Sequence, residues 1–153
     1  MNKPKYLCRS GKSLFVFKFT SKGSKGLVEK IIEYTATDSD NIYNLGFGDY
    51  DPLNDTMNDL TITDNGDSNK VLATVASTVY TFTDEYPSAM ILFTGSTPAR
   101  TRLYRMAITI NLAEISQDFV IFGYSNDRNW EEFVVNKSYH AFLVTRRENE
   151  YTL

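Results

Sequence analysis

Aromatic and apolar residues recur at every second position in two segments of the chain, and this spacing constrains the fold more than any other feature. Phe15, Phe17 and Phe19 lie on one side of an extended backbone, because successive side chains of a β-strand point to opposite faces. The same spacing recurs further along, at Tyr43, Leu45 and Phe47. Aromatic residues make up 14% of the chain, and their broad rings pack well on a pleated surface. The pattern therefore predicts a sheet-rich fold.

A first helix is predicted after the turn-forming residues 63–67. The carboxylate of Asp64 or Asp67 is placed to accept a hydrogen bond from the free N–H groups of the first helical turn. The helix is expected to end near Asp84, because Pro87 cannot continue it. Its apolar positions follow helical spacing, at Val71, Leu72, Val75, Ala76, Val79 and Phe82. This stripe is expected to pack against the sheet.

A second helix is predicted to follow the strand at 89–93, which is continuously apolar and therefore expected in the centre of the sheet. Ser96 or Thr97 is positioned to cap this helix, and Pro98 suits its first turn. The helix is expected to end near Glu114. Its predicted core-facing stripe consists of Leu103, Met106, Ala107 and Ile110.

The remaining strands complete the predicted order ββββαβαβββ. Four strands precede the first helix, at 14–19, 27–36, 42–48 and 60–63, and three follow the second, at 118–123, 130–135 and 139–145. Short turns between them favour antiparallel pairing. We therefore predict a single α+β domain over residues 1–153, with two helices and a largely antiparallel sheet of about eight strands. Residues 49–59 are expected to form an acidic loop, and the polar ends 1–12 and 147–153 to be frayed.

Composition excludes several classes of protein. The net charge of −3 argues against non-specific coating of duplex DNA, although a local basic site is compatible with it. Cys8 is the one cysteine, so no intramolecular disulfide can form. The N-terminus lacks the apolar run of a signal peptide, and no stretch approaches the roughly 20 apolar residues that span a bilayer. These features predict a soluble cytoplasmic protein with no membrane partner.

The start of the second helix carries the most distinctive cluster of polar residues. Helix N-termini attract anions, and arginine offers a bidentate fork to phosphate. The candidate residues for an anion or single-stranded nucleic-acid site are Gly95, Ser96, Thr97, Arg100, Arg102, Tyr104 and Arg105. Arg100 borders the apolar stripe, so its side chain is expected to be held in a fixed pose. A capped amphipathic helix with solvated arginines explains the same residues without a ligand.

Other candidate residues carry weaker signals. Asp49, Asp51 and Asp64 lie in an acidic stretch whose carboxylates could hold a divalent cation. Their spacing lacks the EF-hand pattern, and a solvated loop with helix caps is the favoured explanation. His140 is the single histidine and is expected to pack within a strand rather than bind a metal. No cofactor motif is recognised, so no cofactor is predicted.

Several blocks of the sequence resemble a known family. They are Y-N-L-G-F-G-D at 43–49, N-G-D at 65–67, V-L-A-T-V-A at 71–76, F-T-G-S-T at 93–97 and R-T-R-L-Y-R at 100–105. Together they resemble a family of short uncharacterised proteins from Bacteroidetes-type bacteria, over about residues 12–145. The resemblance implies a bacterial cytoplasmic protein of unknown function, and it transfers no catalytic residue.

Three functional hypotheses remain open. The first is a non-enzymatic binding module for a phosphate-bearing ligand or single-stranded nucleic acid at the second helix. An interaction subunit is the second, binding a protein partner or forming a homo-oligomer through exposed aromatic residues or an open strand edge. The third is an enzyme acting on a phosphate-containing small molecule, with a metal held by Asp49, Asp51 or Asp64 opposite Arg100. The absence of a recognisable catalytic motif favours a non-enzymatic protein.

Overall fold

The computed structural model describes residues 3–11, 14–58, 62–95 and 97–152. The strands in this part of the chain are β1 (Arg9–Ser10), β2 (Val16–Gly23), β3 (Gly26–Ala36), β4 (Ile42–Asp51), β5 (Thr56–Asn58), β6 (Met90–Thr94), β7 (Phe119–Tyr124), β8 (Trp130–Glu132) and β9 (Ala141–Arg146). The helices are α1 (Ser68–Glu85) and α2 (Pro98–Asp118), and Arg147–Thr152 forms a 3-10 helix. Neither α-helix combines the length and the apolar character that crossing a membrane requires, within the described residues.

The strands form one sheet in the order β1-β2-β3-β4-β6-β9-β7-β8, and β5 pairs with the end of β4. β4 and β6 run parallel and are connected through α1, whereas the other pairings are antiparallel. The last strand, β9, lies between β6 and β7. The predicted α+β class, with two helices and a largely antiparallel sheet, is confirmed.

Both helices cover the same face of the sheet and share one hydrophobic core with it. Alternate residues of each strand point towards them, as the pleat requires. The register aligns Leu45, Phe93 and Phe142 across β4, β6 and β9, and all three are buried. Phe82 of α1 stacks on Tyr34 of β3 with 4.1 Å between ring centres. Every apolar position predicted for α1 is buried, so that stripe is confirmed.

Residues 49–58 of the acidic segment are not the loop that the sequence predicted for 49–59, and residue 59 lies outside the described part. β4 continues through Asp51, and a turn over 52–55 leads back into β5. Asp51 supports the turn by accepting hydrogen bonds from the Leu53 amide and the Asn54 side chain. The strand predicted at 60–63 is wrong for residues 62 and 63, which form no strand, and residues 60 and 61 lie outside the described part.

A polar network joins the turn between β2 and β3 to the start of α1. The Asn65 side chain is buried, donates to Ser21 Oγ (3.1 Å) and the Gly26 carbonyl (2.9 Å), and accepts from the Lys25 amide (2.6 Å). Asp67 occupies the N-cap position of α1, but its carboxylate accepts the Ser21 hydroxyl at 2.5 Å and makes no capping hydrogen bond. The predicted capping role of Asp67 is therefore wrong, because the neighbouring hairpin supplies a competing donor.

The N-terminal segment contacts the same network. The hydroxyl of Tyr6 donates to Asp67 at 2.5 Å, and its ring stacks on Phe19 with 5.5 Å between ring centres. The Tyr6 amide also donates to Thr74 Oγ1 at 2.8 Å. These contacts place the segment against β2 and α1. Whether residues 1–12 and 147–153 fray is a question of motion, so the predicted fraying stays a prediction.

A buried ion pair lies on the helix-covered face of the sheet. Lys30 of β3 is 1% exposed, and its register neighbours are Phe19 and Asp49. Its Nζ donates to Asp49 Oδ1 at 2.5 Å and to the Thr63 carbonyl at 2.7 Å. Asp49 also accepts from the amide and the hydroxyl of Thr63. The pair therefore ties the segment before α1 to the sheet, and each charge depends on the other because an unpaired buried charge is costly.

We expect Lys30→Met to lower the free energy of unfolding by about 3 kcal/mol, because it leaves the Asp49 carboxylate without its cation. The double variant Lys30→Met, Asp49→Leu is expected to recover most of that loss, since it removes both charges. Arg9→Ala is the control: it breaks an exposed pair with Glu29 and should cost less than about 1 kcal/mol. Urea denaturation measures all three, and equal losses for Lys30→Met and Arg9→Ala would contradict the structural role of the pair.

Candidate anion-binding cleft

Helix α2 is rotated relative to the sequence prediction and extends to Asp118 rather than to about Glu114. Its buried residues are Arg100, Tyr104, Ala107, Ile108, Asn111 and Ile115. Of the predicted core-facing stripe, Ala107 alone is buried, while Leu103 and Ile110 are half-buried and Met106 is 37% exposed. The predicted stripe is therefore wrong by part of a turn. Two residues with polar tips, Arg100 and Tyr104, take the inward positions.

Arg100 points into the protein and is held by backbone carbonyl groups. Its Nη1 donates to the Phe47 carbonyl at 3.1 Å, and its Nη2 donates to the Asn58 carbonyl at 3.0 Å. The side chain therefore joins α2 to β4 and β5. The expected fixed pose of Arg100 is found. However, its Nη1 and Nη2 groups donate to backbone carbonyls of the protein rather than to a ligand. Tyr104 lies one turn further along and packs edge-to-face on Phe93, so neither residue lines the surface of α2.

A cleft of about 500 Å³ lies between α2 and the segment that connects β8 to β9. The wall formed by α2 and the turn before it contributes Gly95, Thr97, Pro98, Thr101, Arg102 and Arg105. The opposite wall contributes Ser138, Tyr139 and His140. The cleft thus brings together four of the seven residues predicted for the site. Arg100 and Tyr104 face the core instead, and Ser96 lies outside the described residues.

Gly95, shortly before α2, lies unusually close to the helix. A Cβ atom on Gly95 would come within 2.4 Å of the Thr101 amide nitrogen, so a side chain at this position requires the backbone to move. Thr97 caps the helix as predicted, because its hydroxyl accepts the Arg100 amide at 3.2 Å. The Thr101 amide donates to the Thr97 carbonyl, and Pro98 has no N–H. Few free amides remain here, so the positive charge of the cleft comes mainly from side chains.

Arg102 and Arg105 give the cleft its charge. No hydrogen bond or ion pair engages either guanidinium within the described part of the chain, and none of the described lining residues is acidic. Arg102 is exposed and Arg105 is half-buried. Unpaired guanidinium groups in a concave surface are well placed to bind phosphate or carboxylate in a bidentate manner.

His140 faces the two arginines from the opposite wall, which the sequence did not predict. Its side chain is exposed, and its backbone amide donates to the Tyr124 carbonyl at 2.8 Å. The prediction that His140 packs within a strand is wrong, because β9 begins only at Ala141. The turn-forming residues 136–138 just before it were the available indication that this segment reaches the surface.

The acidic residues considered as metal ligands lie apart from the cleft. Asp49 is engaged by Lys30 and Thr63, and Asp51 supports the turn before β5. Asp64 accepts the Gly66 amide at 3.0 Å and does not cap α1. Within the described ranges, no group of three or more His, Cys, Asp or Glu side chains could hold a metal ion. The metal-dependent hypothesis therefore has no support among these residues.

Cys8 packs against the hydrophobic core from the N-terminal segment. Burial raises the pKa of its thiol to about 11, with a smaller opposing effect of the Arg9 charge. The thiolate is the nucleophilic form of cysteine, and a thiol with this pKa is almost wholly protonated at neutral pH. Cys8 therefore acts as a packing residue.

We expect Arg100→Ala to lower the free energy of unfolding by about 2–4 kcal/mol, because it leaves two carbonyl acceptors without their charged donor. Arg102→Ala is the matched control on the same helix and should change stability by less than about 0.5 kcal/mol, since its guanidinium has no partner in the described structure. Chemical denaturation of both variants measures the difference. Equal stability of the two variants would contradict a structural role for Arg100.

Comparison with known proteins places the chain in an uncharacterised group. A family model described as a family of unknown function, DUF6934, matches residues 2–147. No curated protein and no solved structure matches the chain. The match confirms the resemblance to an uncharacterised family, whereas an origin in Bacteroidetes-type bacteria stays a prediction. Both walls of the cleft lie within the matched residues. The chain belongs to the DUF6934 family, whose function is unknown.

Proposed function

We propose that this protein is a non-enzymatic binding module of the bacterial cytoplasm, and that it binds a phosphate-bearing ligand in the cleft between α2 and the β8–β9 segment. One observation carries the proposal. Arg102 and Arg105 have no partner in the described structure, and they face His140 across a concave surface without a described carboxylate. A dianionic group would supply the acceptors that these side chains lack.

The hydroxyl groups of the cleft suit the same ligand. Ser138 stands on the wall opposite Arg102, and Thr97 lies at the start of α2, whereas the Thr101 hydroxyl already donates to the Thr97 carbonyl at 3.2 Å. Thr97 Oγ1 already accepts the Arg100 amide, yet its hydroxyl hydrogen is available to a ligand oxygen. Hydroxyl donors around two guanidinium groups favour an oxyanion over an apolar ligand.

The position of the site on the fold also favours binding over catalysis. Arg102 and Arg105 project from a long helix, and Ser138 and His140 stand on a connecting segment. No described hydrogen bond joins the side chains of His140 and Ser138, so neither orients the other as a nucleophile and its base would be. The cleft thus offers charge and shape, which are sufficient for recognition.

Isothermal titration calorimetry with inorganic pyrophosphate, and separately with a short single-stranded oligonucleotide, tests the proposal. We expect Arg102→Ala and Arg105→Ala each to weaken binding about tenfold or more, which corresponds to roughly 1.4 kcal/mol. Affinity should fall as salt rises, since phosphate contacts release counterions.

Arg128→Gly is the control for charge. Arg128 lies in the turn between β7 and β8 with a φ of 61°, so glycine keeps its backbone conformation and removes the same charge outside the cleft. Its binding should equal that of the unaltered protein. Equal weakening by Arg128→Gly and Arg102→Ala, or no binding of either probe, would refute the site.

A second candidate function, an interaction subunit, is favoured by the sheet face that points away from both helices. Leu92, Leu143 and Phe122 lie in register across β6, β9 and β7 on that face, and each is half-buried. Trp130 is 47% exposed at the β8 edge and lies against Tyr124. An apolar row on an uncovered sheet face suits a protein partner or a second copy of the chain.

Light scattering across a range of concentrations tests this candidate. A second copy seated on the uncovered face predicts a dimer that Leu143→Glu converts to a monomer, because the substitution places a charge in the middle of the apolar row. Lys22→Glu changes the charge at an exposed position near the end of β2 and is the control. A monomeric protein at all concentrations excludes the homo-oligomer.

A further inference from the structure

A second depression adjoins the anion-binding cleft at Arg105. This depression measures about 280 Å³ and is lined by Arg105, Met106, Thr109, Ile110 and Asn136. Arg105 borders both cavities, and both lie between α2 and the segment that connects β8 to β9. The two cavities are therefore neighbours that meet at Arg105, and together they are called the groove.

One stripe of α2 contributes side chains to both cavities of the groove. Arg102, Arg105, Met106, Thr109 and Ile110 follow the spacing i, i+3, i+4, i+7 and i+8, which places their side chains on one side of a helix. The stripe extends about 12 Å from Arg102 to Ile110. Its start is cationic and its continuation is apolar and uncharged, so the two ends of the groove differ in chemistry.

The second depression has the groups that contact a flat heterocycle. Met106 is 37% exposed and Ile110 is half-buried, so both offer apolar surface. Asn136 is exposed on the opposite wall, and its side-chain amide makes no hydrogen bond within the described residues. An amide that both donates and accepts suits the polar edge of a nucleobase.

We propose that the ligand of the groove is a nucleoside phosphate. Its phosphate binds Arg102 and Arg105 opposite His140, and its base lies on Met106 and Ile110 with one edge towards Asn136. This inference rests on the anion-binding function proposed above and names the class of its ligand.

The distribution of charge favours a mononucleotide over a nucleic-acid chain. A single-stranded polymer is bound through cations that follow its backbone and aromatic side chains on which successive bases stack. Among the described residues the unengaged arginines lie at one end of the groove, Lys3 donates to the Ile110 carbonyl at the other, and Tyr139, the aromatic residue on its wall, is 5% exposed. One phosphate group and one base account for the two arginines, the apolar surface of Met106 and Ile110, and the Asn136 amide.

Calorimetry with AMP, GMP, CMP, UMP and ribose 5-phosphate tests the inference, and Asn136→Gly is the central variant. Asn136 has a φ of 70°, which glycine adopts without strain, so the substitution removes the amide and preserves the backbone. We expect at least one nucleotide to bind ten times more tightly than ribose 5-phosphate. Asn136→Gly and Met106→Ala should each remove most of that advantage and leave the affinity for ribose 5-phosphate unchanged, whereas Arg102→Ala should weaken every probe.

The outcomes separate this inference from the proposed function. Equal affinity for the nucleotides and ribose 5-phosphate, or no effect of Asn136→Gly on nucleotide binding, overturns the nucleoside phosphate and leaves the anion site standing. An affinity that rises steadily with oligonucleotide length overturns the mononucleotide in favour of a polymer. Failure of every phosphate-bearing probe to bind overturns the anion site itself, and the inference with it.

Discussion

The burial of Arg100 is the interaction on which the candidate site depends. Its guanidinium donates to the carbonyls of Phe47 and Asn58, and these two hydrogen bonds join the burial of Tyr104 and Ile108 in holding one side of α2 against the sheet. Residues of a helix advance by about 100° each, so an inward Arg100 turns Arg102 and Arg105 away from the core. A different rotation, with Leu103 and Met106 inward, would separate the arginines from the β8–β9 segment. The buried arginine thus positions the exposed ones.

The order of the strands provides the other wall of the groove. β9 is the last strand of the chain, yet it pairs with β6 on one side and β7 on the other. This central position brings the segment leading into β9, with Ser138 and His140, opposite the start of α2, which itself follows β6. Two segments far apart in sequence therefore meet where β6 ends and β9 begins. Loops at the ends of strands commonly carry binding residues.

Polar groups inside the protein serve its architecture, and polar groups on its surface remain available. Lys30, Asp49 and Asn65 are engaged by neighbouring strands and turns, so their chemistry is used within the fold. Arg102, Arg105 and Asn136 have no such partners among the described residues. The proposed ligand, with a charged end and a flat end, matches the change from cationic to apolar side chains along α2.

Local patterns in the sequence determined the types of most elements, although they missed β5 and predicted a strand at 60–63 that residues 62 and 63 do not form. Alternating aromatic residues predicted the strands around Phe17 and Phe47, helical spacing predicted the core face of α1, and Thr97 with Pro98 predicted the start of α2. Each depends on neighbouring residues alone. The rotation of α2, the position of β9 and the exposure of His140 depend on contacts between distant residues. Arginine side chains are mostly exposed in proteins, so the sequence alone does not predict that Arg100 is buried. Its burial depends on the carbonyl acceptors of Phe47 and Asn58, which only the folded β4 and β5 bring to it.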